Sequence, residues 1–342
     1  MTDGLNERMN RQVLLKQVPE GLAGPEDFET REVPIAPLEP GELLVESHYV
    51  GLDAALRLIT RDSDEFLFRV SPGDLVHGSV AGQVIESRHD GFAVGEYVAG
   101  SLGVQSYAIS TGEGLERCDL SQAPLGAWLG GFGNSGLTAY FAVIDECKPQ
   151  PGQTVLINGA AGAVGTMAGQ ICRLAGAKVI GLTGSPEKCQ WLEEELGFDV
   201  AINYKDDDWF EQLAASAPDR LDVIFDNVGG DILDESLKLI GMHGVVLLCG
   251  STSQYSETEM KGPANYIWLG TMRARLQGFV VFDYADRYAE ARQRMSRWIA
   301  GGELKLPCHE LEGGVDQFGE AFRQLYEGKN LGKMLLKLPA AG

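Results

Sequence analysis

The chain has 342 residues, 44% of them hydrophobic, which is enough for two domains with sizeable cores and argues against disorder. A net charge of −21 argues against a phosphate-reading basic face and disfavours anionic lipid surfaces, so neither nucleic acid nor membrane is expected as a partner. The six cysteines form no C-x-x-C pair, the start MTDGLNERMNRQ has no apolar leader core, and no run approaches the roughly 18–20 apolar residues of a bilayer span, so a cytoplasmic protein with reduced thiols is expected.

The first third carries short β-like runs between Gly- and Pro-rich joints. Residues 42–50, 79–86, 97–99 and 106–109 predict strands, and such joints suggest a partly open barrel. Residues 135–147 predict a helix, and Pro149-Gln150-Pro151-Gly152 breaks it. An alternation follows, with strands at 154–157, 178–182, 200–203, 222–225 and 244–248. Helices are expected at 163–176, 186–196, 208–216 and 231–240. Short apolar strands separated by helices predict a doubly wound parallel sheet, an α/β architecture. Residues 277–282 predict one more strand, 287–300 and 315–327 helices, and 332–338 a final strand returning to the first domain.

One motif carries chemistry. The strand at 154–157 leads into Gly159-Ala160-Ala161-Gly162-Ala163-Val164-Gly165 and then a helix, with Ala160 in place of the first glycine of the usual dinucleotide fingerprint. Gly162 permits close backbone approach to a pyrophosphate, Gly165 permits tight helix–strand packing, and the helix start offers N–H groups and a positive dipole end. About twenty residues on, an NAD site has a carboxylate for the ribose hydroxyl. Here that strand end carries no acid; Ser185 can hydrogen-bond a 2′-phosphate and Lys188 can neutralise it, which selects NADPH although Glu187 adjoins them.

The five histidines and the cysteines show no ligand spacing, so no metal is expected, and no G-x-S-x-G elbow supports serine hydrolysis. Ser135 is expected as a helix cap.

Several runs, in order along the chain, resemble one family: 135–141 (SGLTAYF), GAAGAVG, 197–205 (GFDVAINYK), 225–230 (FDNVGG), Cys249-Gly250 with Ser253-Gln254-Tyr255, 277–281 (QGFVV) and 328–333 (GKNLGK). They are similar to the zinc-independent medium-chain reductases, in the branch of prostaglandin reductase, alkenal double-bond reductase and curcumin reductase. The resemblance implies a Rossmann NADP-binding domain, 134–306, inserted into a GroES-like domain built from 1–133 and 307–342. It implies homodimers and NADPH-dependent reduction of the carbon–carbon double bond in α,β-unsaturated ketones or aldehydes. It assigns Ala163 and Val164, with Gly162 and Gly165, to the pyrophosphate and Tyr204, with Lys188, to the 2′-phosphate. It assigns Asn227, Cys249, Gly250, Ser251, Tyr255, Phe279, Val280, Val281 and Asn330 to the rest of the cofactor.

Hydride addition at the β-carbon puts negative charge on the carbonyl oxygen, and a donor there favours the transition state over the ground state. Tyr255 and the nicotinamide ribose hydroxyl are the expected donors, Tyr255 or water the acid, with Tyr266 and Tyr284 as alternatives. Two departures bear on the substrate pocket. Asp53-Ala54-Ala55-Leu56-Arg57 has Ala55 where relatives have tyrosine, and Gly133-Asn134-Ser135-Gly136 stands where relatives have Gly-Met-Pro-Gly. Ala55 and Asn134 therefore imply an altered substrate range. Two alternatives stay open, an NADPH:quinone oxidoreductase and a non-catalytic NADPH-binding regulator.

Overall fold

The computed structural model describes residues 8–61, 69–257 and 259–339. Residues 1–7, part of the start read for a leader, lie outside them. The chain opens with β1 (Met9–Leu15), β2 (Phe28–Pro34), β3 (Leu43–Gly51), α1 (Leu56–Ile59), β4 (Ser79–Ser87), β5 (Tyr97–Ser101), β6 (Tyr107–Ser110) and β7 (Glu116–Arg117). It continues through α2 (Asn134–Phe141), β8 (Thr154–Asn158), α3 (Ala163–Leu174), β9 (Lys178–Thr183), α4 (Pro186–Leu196), β10 (Val200–Asn203) and α5 (Trp209–Ser216). Then come β11 (Leu221–Asp226), α6 (Gly230–Leu237), β12 (Ile240–Leu248), α7 (Ile267–Met272), β13 (Arg275–Gly278) and α8 (Tyr288–Ala300). The chain closes with β14 (Cys308–Glu312), α9 (Phe318–Tyr326) and β15 (Lys333–Lys337). Two compact units result. One takes the residues up to Leu129, Cys308–Lys329 and those from Met334; the other takes Gly130–Pro307 and Asn330–Lys333.

In the first unit one sheet runs β14-β15-β3-β4-β5-β7, with β6 branching from β3, and β1 and β2 form a separate antiparallel hairpin. Alternate side chains of its strands, such as Leu43 and Val45 on β3, bury against a core that includes Val80, Val84, Met334 and Leu336. Phe318 and Phe322 lie one helical turn apart on α9 and both meet Phe28 edge-on, at 5.2 and 6.2 Å between ring centroids.

The second unit is a six-stranded parallel sheet in the order β10-β9-β8-β11-β12-β13. Its strands read as nearly continuous apolar runs because helices cover both faces; Leu156, Ile180, Ile224 and Val246 are fully buried. The first strand of the unit, β8, is central. Strand order reverses between β8 and β11, which is where an open α/β sheet leaves a crevice at its carboxyl edge.

Local departures from the sequence expectations have identifiable causes. The helix expected at 135–147 is α-helical only to Phe141 and widens into a π turn over Ala142–Cys147. The helix expected at 231–240 stops at Leu237, because Ile240 pairs with Leu221 at the start of β12. The strand expected at 277–282 is β13, Arg275–Gly278, and Val281–Arg287 winds into 3-10 turns instead. Gln277 Nε2 and the Tyr284 hydroxyl both donate to the Glu146 carboxylate, so the chain curls back after Gly278 rather than extending. Among the described residues no helix is long and apolar enough to cross a membrane.

Candidate functional site

At the carboxyl edge of β8 the turn 159–162 delivers the chain into α3. A Cβ on Gly165 would lie 2.4 Å from the Gly159 carbonyl oxygen and 2.8 Å from Ala160 Cα, both backbone atoms that cannot yield, so only glycine lets α3 pack this closely. A Cβ on Gly162 would meet only the Gly159 oxygen, at 3.3 Å, which leaves its outer side open to a ligand. Ala160 is fully buried, its N–H donates to the Leu182 carbonyl at 3.0 Å, and its methyl occupies the space left by Gly181 on β9. That space is why alanine stands in place of the first fingerprint glycine. Gly162 is the N-cap of α3 and brings no side-chain cap, so the first-turn N–H groups, including those of Ala163, Val164 and Gly165, have no acceptor within the helix. The Gly332 N–H closes the rim by donating to the Ala161 carbonyl at 2.9 Å, and Asn330, buried, donates its amide to the Gly332 carbonyl at 2.7 Å.

On the β9–β10 side, Ser185 caps α4 by accepting the Lys188 N–H at 3.4 Å. Burial and the neighbouring Lys205 ammonium hold the Lys188 amine below its usual range. Asn203 pairs with Thr183, and the Tyr204 N–H donates to the Thr183 carbonyl at 3.0 Å, which sets the Tyr204 ring against Gly184. Ser185, Lys188 and Tyr204 are thus brought together. Lys205 joins them and was not singled out from the sequence; its one signal is its place next to Tyr204.

On the β11–β12 side, the buried Asp226 carboxylate accepts from Asn158 Nδ2 at 2.9 Å and from the Gly229 N–H at 3.0 Å. Burial pushes its pKa up, partly offset by these donors. Asn227 donates its amide to the Asn158 carbonyl at 2.8 Å. The Asn227 carbonyl accepts the Thr252 N–H, and that of Val228 accepts the Ser253 N–H, both at 3.1 Å. Cys249 and Gly250 donate their N–H groups to the Asp226 carbonyl. The Tyr255 hydroxyl oxygen accepts the Ser251 N–H at 3.1 Å, and burial raises the phenol's pKa. These residues form one connected rim.

The other expected positions have surroundings of their own. Phe279 lies 5.7 Å from the Tyr284 ring, Val281 is buried and Val280 exposed. Tyr284 stacks on Phe141 at 4.7 Å, and with its hydroxyl given to Glu146 and its ring desolvated its pKa is pushed up to about 12. It is therefore a poor donor to a substrate. Tyr266 is 63% exposed ahead of α7. Asn134 opens α2 and is exposed; Gly133 is the N-cap there, so Ser135, buried within the first turn, is not the cap expected from the sequence. Asp53 and Ala55 belong to the first unit, where their carbonyls accept the Leu56 and Leu58 N–H groups as the chain enters α1. Among the described residues no group of three or more His, Cys, Asp or Glu could hold a metal ion.

Comparison with known proteins agrees with this geometry. Residues 11–118 match the N-terminal domain of oxidoreductases and residues 163–298 match the family described as zinc-binding dehydrogenase. The chain is 34% identical to the NADPH-dependent curcumin reductase of Escherichia coli over 98% of this chain and 99% of that protein. It is 37% identical to prostaglandin reductase 1 of Bos taurus over 91% and 94%. The crystal structure of CurA from Vibrio vulnificus in complex with NADPH superposes with a TM-score of 0.91, at 36% identity, covering 97% of this chain and all of that one. A Rossmann-type sheet with a glycine-rich turn at its switch point, in a chain that also forms a separate antiparallel sheet, defines a medium-chain dehydrogenase/reductase. Within that class the chain belongs to the zinc-independent reductase family that holds curcumin reductase, prostaglandin reductase and 2-alkenal reductase.

The thiols around the sheet are held neutral. Burial pushes Cys147 and Cys249 up to about 12 from an ordinary 9.0, with Asp226 adding to the effect at Cys249. The unfolded chain ionises first, so the stability these thiols contribute is complete below pH 9 and is lost as the pH rises toward 12. Thermal melts across that window should show a falling midpoint, diminished in a Cys147→Ser, Cys249→Ser variant. A flat profile would mean the thiols are not held neutral.

Proposed function

We propose that this protein uses NADPH to reduce the carbon–carbon double bond of α,β-unsaturated ketones or aldehydes. The turn at the β8–α3 junction carries this reading: Gly162 open, Gly165 packed against backbone, and unspent N–H groups at a switch point. Full-length similarity to curcumin and prostaglandin reductases narrows the chemistry to conjugated alkenes.

Gly162, Ala163, Val164 and Gly165 would hold the pyrophosphate, and Ser185, Lys188 and Tyr204 the 2′-phosphate. A dianion there relieves the repulsion between Lys188 and Lys205 that depresses the Lys188 amine. Asn227, Cys249, Gly250, Ser251, Phe279, Val280, Val281 and Asn330 would line the remaining half. When bound, NADPH supplies the hydride. Tyr255 is the group suited to the substrate's carbonyl oxygen. Burial keeps the phenol protonated at neutral pH, and because its oxygen accepts from Ser251, its own hydrogen stays available to donate. Ala55 and Asn134 set the substrate range in this reading, and the protein works in the cytoplasm.

A homodimer completes it. β13 is the edge of the parallel sheet, and Leu276, Val280 and Phe282 on and just beyond it are exposed. Light scattering should return twice the chain mass, whereas a monomer would count against pairing along β13.

Oxidation of NADPH, followed by its loss of absorbance, should occur with alkenals and enones and yield saturated carbonyl products. Allylic alcohols as sole products, or a strong preference for quinones, would overturn the assignment; tight NADPH binding without turnover on any member of the panel would point to a regulator. Lys188→Ala should raise the KM for NADPH by about 10- to 100-fold while leaving that for NADH nearly unchanged. An equal rise for both cofactors would remove Lys188 from the 2′-phosphate.

A further inference from the structure

Asp226 ends β11, Asn158 ends β8, and the hydrogen bond between them spans the point where strand order reverses. Both side chains are 0% exposed. The donors to the carboxylate are all neutral: Asn158 Nδ2 at 2.9 Å, the Gly229 N–H at 3.0 and 3.2 Å, and the Val228 N–H at 3.3 Å. These donors favour the ionised form and oppose the burial that raises the carboxyl's pKa. An amide or an apolar pair could tie two strands together at lower desolvation cost than a buried charge. The placement of the charge therefore calls for a role beyond tying strands.

Topology supplies one. Ser185, Lys188 and Tyr204 gather on the β9–β10 side of β8, so a dinucleotide with its 2′-phosphate there extends its other half across the ends of β11 and β12. We propose that Asp226 provides a fixed negative charge beneath the nicotinamide half of the bound cofactor, favouring the cationic oxidised ring over the neutral reduced one. Asp226 is fully buried and acts through space, as an electrostatic positioning residue. In a low-dielectric floor such a charge acts across several ångströms. Its field reaches the ends of the neighbouring loops, where it helps to hold the Cys249 thiol and the Tyr255 phenol in their neutral forms. The consequence is a bound couple poised toward hydride donation.

The inference rests on the NADPH reading, and titration calorimetry separates the two. Dissociation constants for NADPH, NADP+ and 2′,5′-ADP are measured on the wild-type chain and on Asp226→Asn and Asp226→Ser, which remove the charge with different shapes. In both variants the preference for NADP+ relative to NADPH should fall about five- to tenfold, while 2′,5′-ADP, which lacks the nicotinamide half, keeps its affinity. Loss of affinity for NADP+ and NADPH by one common factor would mean that Asp226 only holds the loops, and would overturn the inference alone. A wild-type chain that binds neither nucleotide would overturn the NADPH reading, and the inference with it.

Discussion

The second unit depends on how closely α3 approaches the turn that precedes it. The space at Gly165 is bounded by the Gly159 carbonyl and the Ala160 backbone, so any side chain there would push the helix away from β8. With the helix seated, its first-turn N–H groups are aimed over the carboxyl edge of the sheet, and their partial positive charge is fixed where a pyrophosphate would lie. Such a local arrangement would let a chain of net charge −21 hold an anionic ligand. The global field is unfavourable, but oriented amides and the Lys188–Lys205 pair would act at contact distance, where the remainder of the surface is screened.

The rim on the other side of β8 is built differently. There the loops after β11 and β12 bind each other through backbone groups: Asn227 and Val228 present carbonyls, Thr252 and Ser253 present N–H groups, and Asp226 anchors both loops from below. Such loops carry little apolar packing of their own and would be mobile if left to side-chain contacts. Cross-strand hydrogen bonds hold them to the sheet, so Tyr255 is presented from a rigid base although it sits outside any regular strand or helix.

These two rims differ in how far they could be read from the sequence. The turn at 159–165 is legible because its physics is local; strand, glycines and helix fall within one stretch. The Ala160 substitution looks like a defect until Gly181, on the next strand, is seen to make room for it. Asp226 is not legible, since a buried carboxylate in Phe225-Asp226-Asn227 reads as an ordinary strand end, and its partner Asn158 is remote in sequence. Lys205 hides for the same reason, and the end of β13 does too, because Glu146 recruits Gln277 and Tyr284 from the far end of the unit. The hairpin β1–β2 has too mixed a pattern to register: Met9-Asn10-Arg11-Gln12 alternates weakly, and the buried Asn10 finds its partners far along the chain, donating to the Gln105 side-chain oxygen and accepting the Tyr107 N–H.

Asn330 shows how one side chain can fix a segment against a turn remote from it in sequence. One amide hydrogen is given to the Gly332 carbonyl, which fixes the short segment Asn330–Lys333 so that the Gly332 N–H meets Ala161 and the Lys333 N–H meets the Pro307 carbonyl. Main-chain bonds hold the segment against the turn at 159–162. Residues 330–333 are thereby set against a glycine-rich turn about 170 positions earlier, and only the folded backbone brings the two together.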